Sequence, residues 1–99
     1  MLHIVNKSPF QTTTLKTCLS MAQPGSAVLL IEDGVYGATT GTEMEALVRQ
    51  ASTAVKFYAL QPDMDARGIT AKLLDGVTLV DYGGFVDLTL QYSTAHSWL

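Results

Sequence analysis

Short apolar runs alternate with amphipathic stretches along this chain, and the alternation predicts strands joined by helices. Leu2-His3-Ile4-Val5-Asn6 is a β-rich run, and Ser8-Pro9 follows it with a helix-capping residue and a first-turn proline. Between Phe10 and Ala22 the apolar positions Leu15, Cys18, Leu19 and Ala22 keep the i, i+3, i+4, i+7 spacing of one helical face. Thr12-Thr13-Thr14 weakens the start, so the helix is expected to begin at one of these threonines. Gln23-Pro24-Gly25 stops it. Ala27-Val28-Leu29-Leu30-Ile31 is then continuously apolar, as a strand covered on both faces of a parallel sheet must be.

The same grammar continues to the end. Glu32 to Gly37 reads as a polar, glycine-containing loop, and Thr42-Glu43-Met44-Glu45 reads as a capping box opening a helix to about Ala51. Val55 to Leu60 is the third strand. Gln61-Pro62-Asp63 starts a short helix ending near Arg67-Gly68, and Thr70 to Leu74 adds a turn. Val77 to Val80 is the fourth strand, and Phe85 to Leu90 resumes helical spacing before a tail ending in Ser97-Trp98-Leu99. Strands alternating with helices through short loops predict an α/β fold: one domain over residues 1–99, a mostly parallel sheet, right-handed crossovers and helices on both faces.

Composition adds a constraint on assembly. Hydrophobic residues make up 47% of the 99 positions and charged residues only 15%, against a usual charged share of roughly 25%. A chain of this size buries only a little over ~60% of its unfolded surface. Part of the apolar surplus is therefore expected to face other protein chains in a permanent oligomer. No apolar run approaches the ~18 residues of a membrane span, so no membrane partner is expected. Six Lys and Arg against nine Asp and Glu, with no basic cluster, argue against direct nucleic-acid binding. The first residues lack the basic and apolar regions of a secretory signal, and the single Cys18 has no partner for an internal disulfide; both fit a cytoplasmic protein with a reduced thiol.

Candidate chemistry is sparse. Ligands in open α/β sheets sit beyond the carboxyl ends of the strands, which places Asn6 to Pro9, Glu32 to Thr42, Gln61 to Asp63 and Asp81 to Gly84 on the functional rim. Gly37 to Thr42 superficially fits a phosphate loop but lacks both the P-loop ending and the dinucleotide fingerprint, and Glu32 and Asp33 beside it would repel a phosphate. No cofactor is expected. His3 and His96 with Cys18 have no zinc-ligand spacing, so no metal is expected either. Glu32, Asp33 and Asp81 lack an accompanying nucleophile and suit helix capping better than acid–base work. Within a strand, His3 suits a structural role, and His96 suits an interface. Cys18 is the one candidate for covalent chemistry: its thiolate could attack the terminal sulfur of an incoming persulfide, releasing the donor thiol, and later pass that sulfur on. Against this stands its place on the apolar helix face, where a buried cysteine behaves as a small hydrophobe.

Several blocks, in order over nearly the whole chain, carry a family resemblance. They are Leu2-His3 with Asn6-Lys7-Ser8-Pro9-Phe10, Leu29 to Tyr36, Tyr58-Ala59-Leu60 with Asp63 and Ala66-Arg67-Gly68, Asp81-Tyr82 with Phe85-Val86 and Leu88-Thr89, and Trp98. Together they resemble the DsrH/TusB family of small sulfur-relay subunits, with the DsrH branch the nearer. The resemblance implies a DsrE-like, flavodoxin-like three-layer fold and assembly with DsrE-like and DsrF-like subunits, or their Tus counterparts, into a heterohexamer. It further implies a TusA-like donor and a DsrC-like acceptor in dissimilatory sulfur oxidation, or, in the Tus branch, a relay feeding 2-thiolation of the tRNA wobble uridine. Cys18 matches the helix cysteine of DsrH-type members and favours the oxidation branch. The expected activity is that of a persulfide-carrying subunit rather than a stand-alone enzyme, with Cys18 an accessory carrier or the chain a scaffold. Trp98 is expected to pack against its own fold or a partner.

Overall fold

The computed structural model describes residues 1–98. Five parallel strands form one sheet: β1 (Leu2–Val5), β2 (Ala27–Leu30), β3 (Lys56–Leu60), β4 (Val77–Val80) and β5 (Ala95–Trp98), in the order β4-β3-β2-β1-β5. The helices are α1 (Thr14–Met21), α2 (Met44–Ala51), α3 (Gln61–Ala66) and α4 (Tyr82–Gln91). The first three crossovers step across the sheet in one direction, and the fourth returns to the opposite edge. With a uniform crossover hand, α1 to α3 must then share one face and α4 take the other. The packing agrees: Leu15, Cys18, Val48 and Met64 bury against Val5, Val28, Leu30, Phe57 and Ala59, while Leu88 and Phe85 cover Leu2, Ala27 and Leu29 on the reverse face.

Local chemistry sets the boundaries. Ser8 does not cap α1; its hydroxyl accepts from Phe10 N–H at 3.1 Å and its carbonyl receives Gln11 and Thr12, making a separate turn before the helix opens at Thr14. The capping box is displaced by one residue. Thr42 Oγ1 accepts from Met44 N–H at 3.2 Å, while the Glu45 carboxylate reaches back to Gly41 N–H at 2.7 Å rather than to Thr42. Asp81 caps α4 by accepting from Gly84 N–H at 2.8 Å, so this helix starts at Tyr82, three residues before the spacing predicts. Glu32–Ala38, expected as a loop, winds into a 3-10 helix.

The tail is the largest departure from the sequence reading. Ala95–Trp98 lies beside β1 in the register Leu2↔Ala95, His3↔His96, Ile4↔Ser97 and Val5↔Trp98. Its residues carry little apolar alternation because this edge strand is largely exposed, with only Trp98 half-buried.

The reverse face is thinly covered. Ile4, Ile31, Tyr58, Val80, Phe85 and Tyr92 around α4 stay only partly buried. On the outer side of that helix Tyr82, Val86 and Leu90 are 62%, 54% and 79% exposed. They recur at i, i+4 and i+8, so part of the apolar surplus forms a stripe on the one helix that guards this face.

Candidate functional site

The rim at the carboxyl ends of the strands brings together several residues that the family resemblance singled out. β2 ends into Ile31 and Glu32, and Glu32 adopts φ +50, a left-handed conformation costly for a residue with a Cβ. Asp63, in the first turn of α3, holds it there by accepting Glu32 N–H on Oδ2 at 2.6 Å. Arg67, at the end of α3, then closes the neighbouring gap. Its Nε and Nη2 donate to Asp33 Oδ1 at 3.0 and 2.8 Å, and its Nη1 donates to the Asp63 carbonyl at 3.1 Å. Gly34 sits directly over β1: a Cβ at this position would stand 2.2 Å from the Val5 carbonyl oxygen. Asn6 lies beside it, donating weakly from Nδ2 to Glu32 at 3.5 Å, while its buried Oδ1 has no partner among the described residues.

Three acidic residues of the rim are thus spent on backbone amides and on Arg67. Asp63 braces a strained turn, Asp33 pairs with Arg67 and Asp81 caps α4. The Gly37–Thr42 segment is similarly engaged. Gly41 N–H is taken by Glu45, whose carboxyl is held below its usual range first by that backbone bond and then by Arg49. An anion approaching this loop would meet a carboxylate already seated on its amide.

Cys18 occupies the buried face of α1. It is fully buried, packed in the cluster that joins Val5, Leu15 and Val28, and burial pushes its thiol up to about 11. Burial and the raised pKa both disfavour the thiolate that attacks a persulfide. For this conformation of the chain, the physical reading is packing.

His3 and Trp98 form the third constellation. Trp98 Nε1 donates to His3 Nδ1 at 3.1 Å, joining β5 to β1 through side chains as well as backbone. This settles the tautomer of His3: Nδ1 is the acceptor, so its proton resides on Nε2. Burial lowers its basicity, aided by the N-terminal ammonium and His96. Exposed His96 sets its ring edge-on to Trp98 at 4.8 Å. His3 is therefore the structural histidine that its strand position implied, and Trp98 packs on its own fold. The pairing escaped sequence reasoning because its partners are 95 positions apart.

Comparison with solved structures defines the class first. The ychN protein from E. coli superposes with a TM-score of 0.80 over 97% of each chain at 21% identity. A protein of unknown function from Methanobacterium thermoautotrophicum does so with a TM-score of 0.72, covering 97% of this chain and 95% of that one at 20% identity. These likenesses establish a shared α/β fold. The family model described as "DsrH like protein" matches residues 7–95. Curated relatives named Protein TusB align over 98 residues, 99% of this chain and 100% of theirs, at 37% identity in Pectobacterium parmentieri, 36% in Shigella flexneri and 35% in Escherichia coli. The chain belongs to the DsrH/TusB family. The names of these relatives favour the Tus branch over the sulfur-oxidation branch that Cys18 favoured.

Proposed function

We propose that this chain is a TusB-type subunit of a cytoplasmic sulfur relay feeding 2-thiolation of the tRNA wobble uridine, and that it works by assembly rather than through its own thiol. The observation that carries the branch is full-length similarity to proteins named TusB. Support for a scaffolding role comes from Cys18, sealed in the core with its thiol protonated, and from the rim carboxylates, already engaged in capping and pairing.

The proposed partners are two related subunits, DsrE-like and DsrF-like in fold and of the Tus type, joined with this chain in a heterohexamer that receives sulfur from a TusA-like donor and delivers it to a DsrC-like acceptor. The stripe of Tyr82, Val86 and Leu90 over a thinly covered sheet face suits such permanent association. The test is reconstitution with the two partner subunits and a persulfide-charged donor, following sulfur on each chain by intact mass. The reading expects sulfur on a partner and unchanged transfer with Cys18→Ala. Sulfur on Cys18, or loss of transfer in an assembled Cys18→Ala complex, overturns the scaffolding role. Failure to support thiolation of tRNA while supporting sulfur oxidation overturns the branch.

A further inference from the structure

A cleft of about 550 Å3 opens where the amino ends of β1 and β2 and the last turn of α1 meet the uncovered side of β5. Met1, Met21 and Pro24 supply apolar walls, and His3, His96 and Trp98 supply three π-systems. The Trp98 and His3 rings lie 6.1 Å apart at 40°, and His96 meets Trp98 at 65°. In a chain with nine acidic residues, none lines this cleft. Gln23 and Ser26 offer both donors and acceptors, and the two histidines add ring N–H donors. Because His3 accepts from Trp98 on Nδ1, its Nε2 carries the proton and has no partner among the described residues; the exposed His96 imidazole stands on the neighbouring strand in direct register with it.

We propose that this cleft binds a small planar organic anion, an aromatic carboxylate, with its ring against Trp98 and its carboxylate on the imidazole N–H groups of His3 and His96. The size falls within the range of small-ligand pockets, which are largely apolar with a few placed polar groups. An apolar wall takes the ring, aromatic side chains offer stacked and edge contacts, and a carboxylate bonded to an imidazole N–H makes a charge-assisted hydrogen bond. No carboxylate lines the cleft, so an anion meets no charged repulsion and gains the imidazole N–H donors, whereas a cation is held by the ring faces alone. The inference stands on the cleft itself and is independent of the relay reading.

The experiment titrates the full chain with 2-naphthoate while heteronuclear NMR follows the indole N–H of the single tryptophan, Trp98. The expected result is a saturable shift with intermolecular NOEs from the naphthalene ring to Trp98, and a weaker response to the corresponding naphthylmethylammonium. His96→Glu, a change at an exposed position, places a carboxylate at the mouth and weakens binding by about tenfold or more. Absence of a saturable shift at millimolar concentrations overturns the proposal. So does an equal response to the cation, an unchanged affinity in a folded His96→Glu chain, or NOEs to the Tyr82–Leu90 stripe in place of Trp98.

Discussion

Trp98 and His3, at opposite ends of the chain, are joined by an indole-to-imidazole hydrogen bond of 3.1 Å that fastens the edge strand β5 to β1. The bond requires a neutral His3, and burial already disfavours its protonated form. A base whose folded pKa lies below its unfolded value contributes stability that is present above the unfolded value near 6.5 and is lost as pH falls below it. Unfolding by urea between pH 8 and 5 therefore yields decreasing stability toward acid, and His3→Gln flattens that slope. Replacing Trp98 by Phe removes the donor while keeping most of the ring, at a cost of about 1 kcal/mol. A pH slope unchanged in His3→Gln would assign the titration elsewhere.

Cys18 gives a second pH dependence, of opposite sense. Its thiol is raised from 9.0 to about 11 by burial. Stability is full below the unfolded value and falls as pH rises between 9.0 and about 11, by at most ~1.4 kcal/mol per unit. In the native protein Ellman's reagent reacts with this thiol no faster than the chain opens. Cys18→Ala costs about 1 kcal/mol through the small cavity it leaves, and Cys18→Asp costs several times more by burying a carboxyl.

Gly34 and Gly41 separate steric from conformational need. A methyl group at Gly34 would meet the Val5 carbonyl oxygen at 2.2 Å, so Gly34→Ala must push the 3-10 segment off β1. At Gly41 there is open space but φ is +79. The expected losses are about 3 kcal/mol or more for Gly34→Ala and about 1 kcal/mol for Gly41→Ala, measured by chemical denaturation.

Asp63 and Arg67 differ in what their removal leaves behind. Asp63→Ala deprives Glu32 N–H of its partner at a strained residue, and the expected cost is about 1–3 kcal/mol. The Arg67–Asp33 pair has an Asp33 side chain 54% exposed, so Arg67→Ala is expected to cost less, about 1 kcal/mol, and to fall further in high salt. Thermal melts at low and high ionic strength distinguish the two.

The outer side of α4 bears on assembly. Val86→Glu and Leu90→Glu alter residues that make up an exposed stripe, so the melting temperature of the isolated chain is expected to change little. Association with the proposed partner subunits, followed by native mass spectrometry, is expected to fall sharply because a buried interface would then hold an unpaired charge. Full assembly with both variants would move the interface away from this helix.

Much of the fold was legible in local pattern. The apolar run Ala27–Ile31 supplied the buried central strand Ala27–Leu30, the Leu15, Cys18, Leu19 and Ala22 spacing became the inner side of α1, and Arg67-Gly68 ended α3 with Gly68 at φ +65. These features depend on neighbours within a few positions, which any reader of the chain can see. The 3-10 helix at Glu32–Ala38 was hidden because its anchor, the Asp63 carboxylate, is 31 positions away. The start of α4 was misplaced because Gly83 and Gly84 carry no side chain to show the helical spacing that resumes at Phe85, whereas the Asp81 cap opens the helix at Tyr82. β5 was missed because an exposed edge strand has no buried face to impose alternation on its residues.

Sequence alone determined the α/β alternation, four of the five strands, the family and the expectation of partners, since periodicity, capping chemistry, motif order and apolar excess are all written in one dimension. Only the tertiary structure decided what each candidate side chain does. Burial placed Cys18 among the core side chains; long-range hydrogen bonds committed Asp63 and Asp33 to the Glu32 amide and to Arg67; and the return crossover to β5 built a cleft from His3, His96 and Trp98. Reactivity depends on solvent access and on which distant groups share a dielectric environment, and those quantities exist only once the chain has folded.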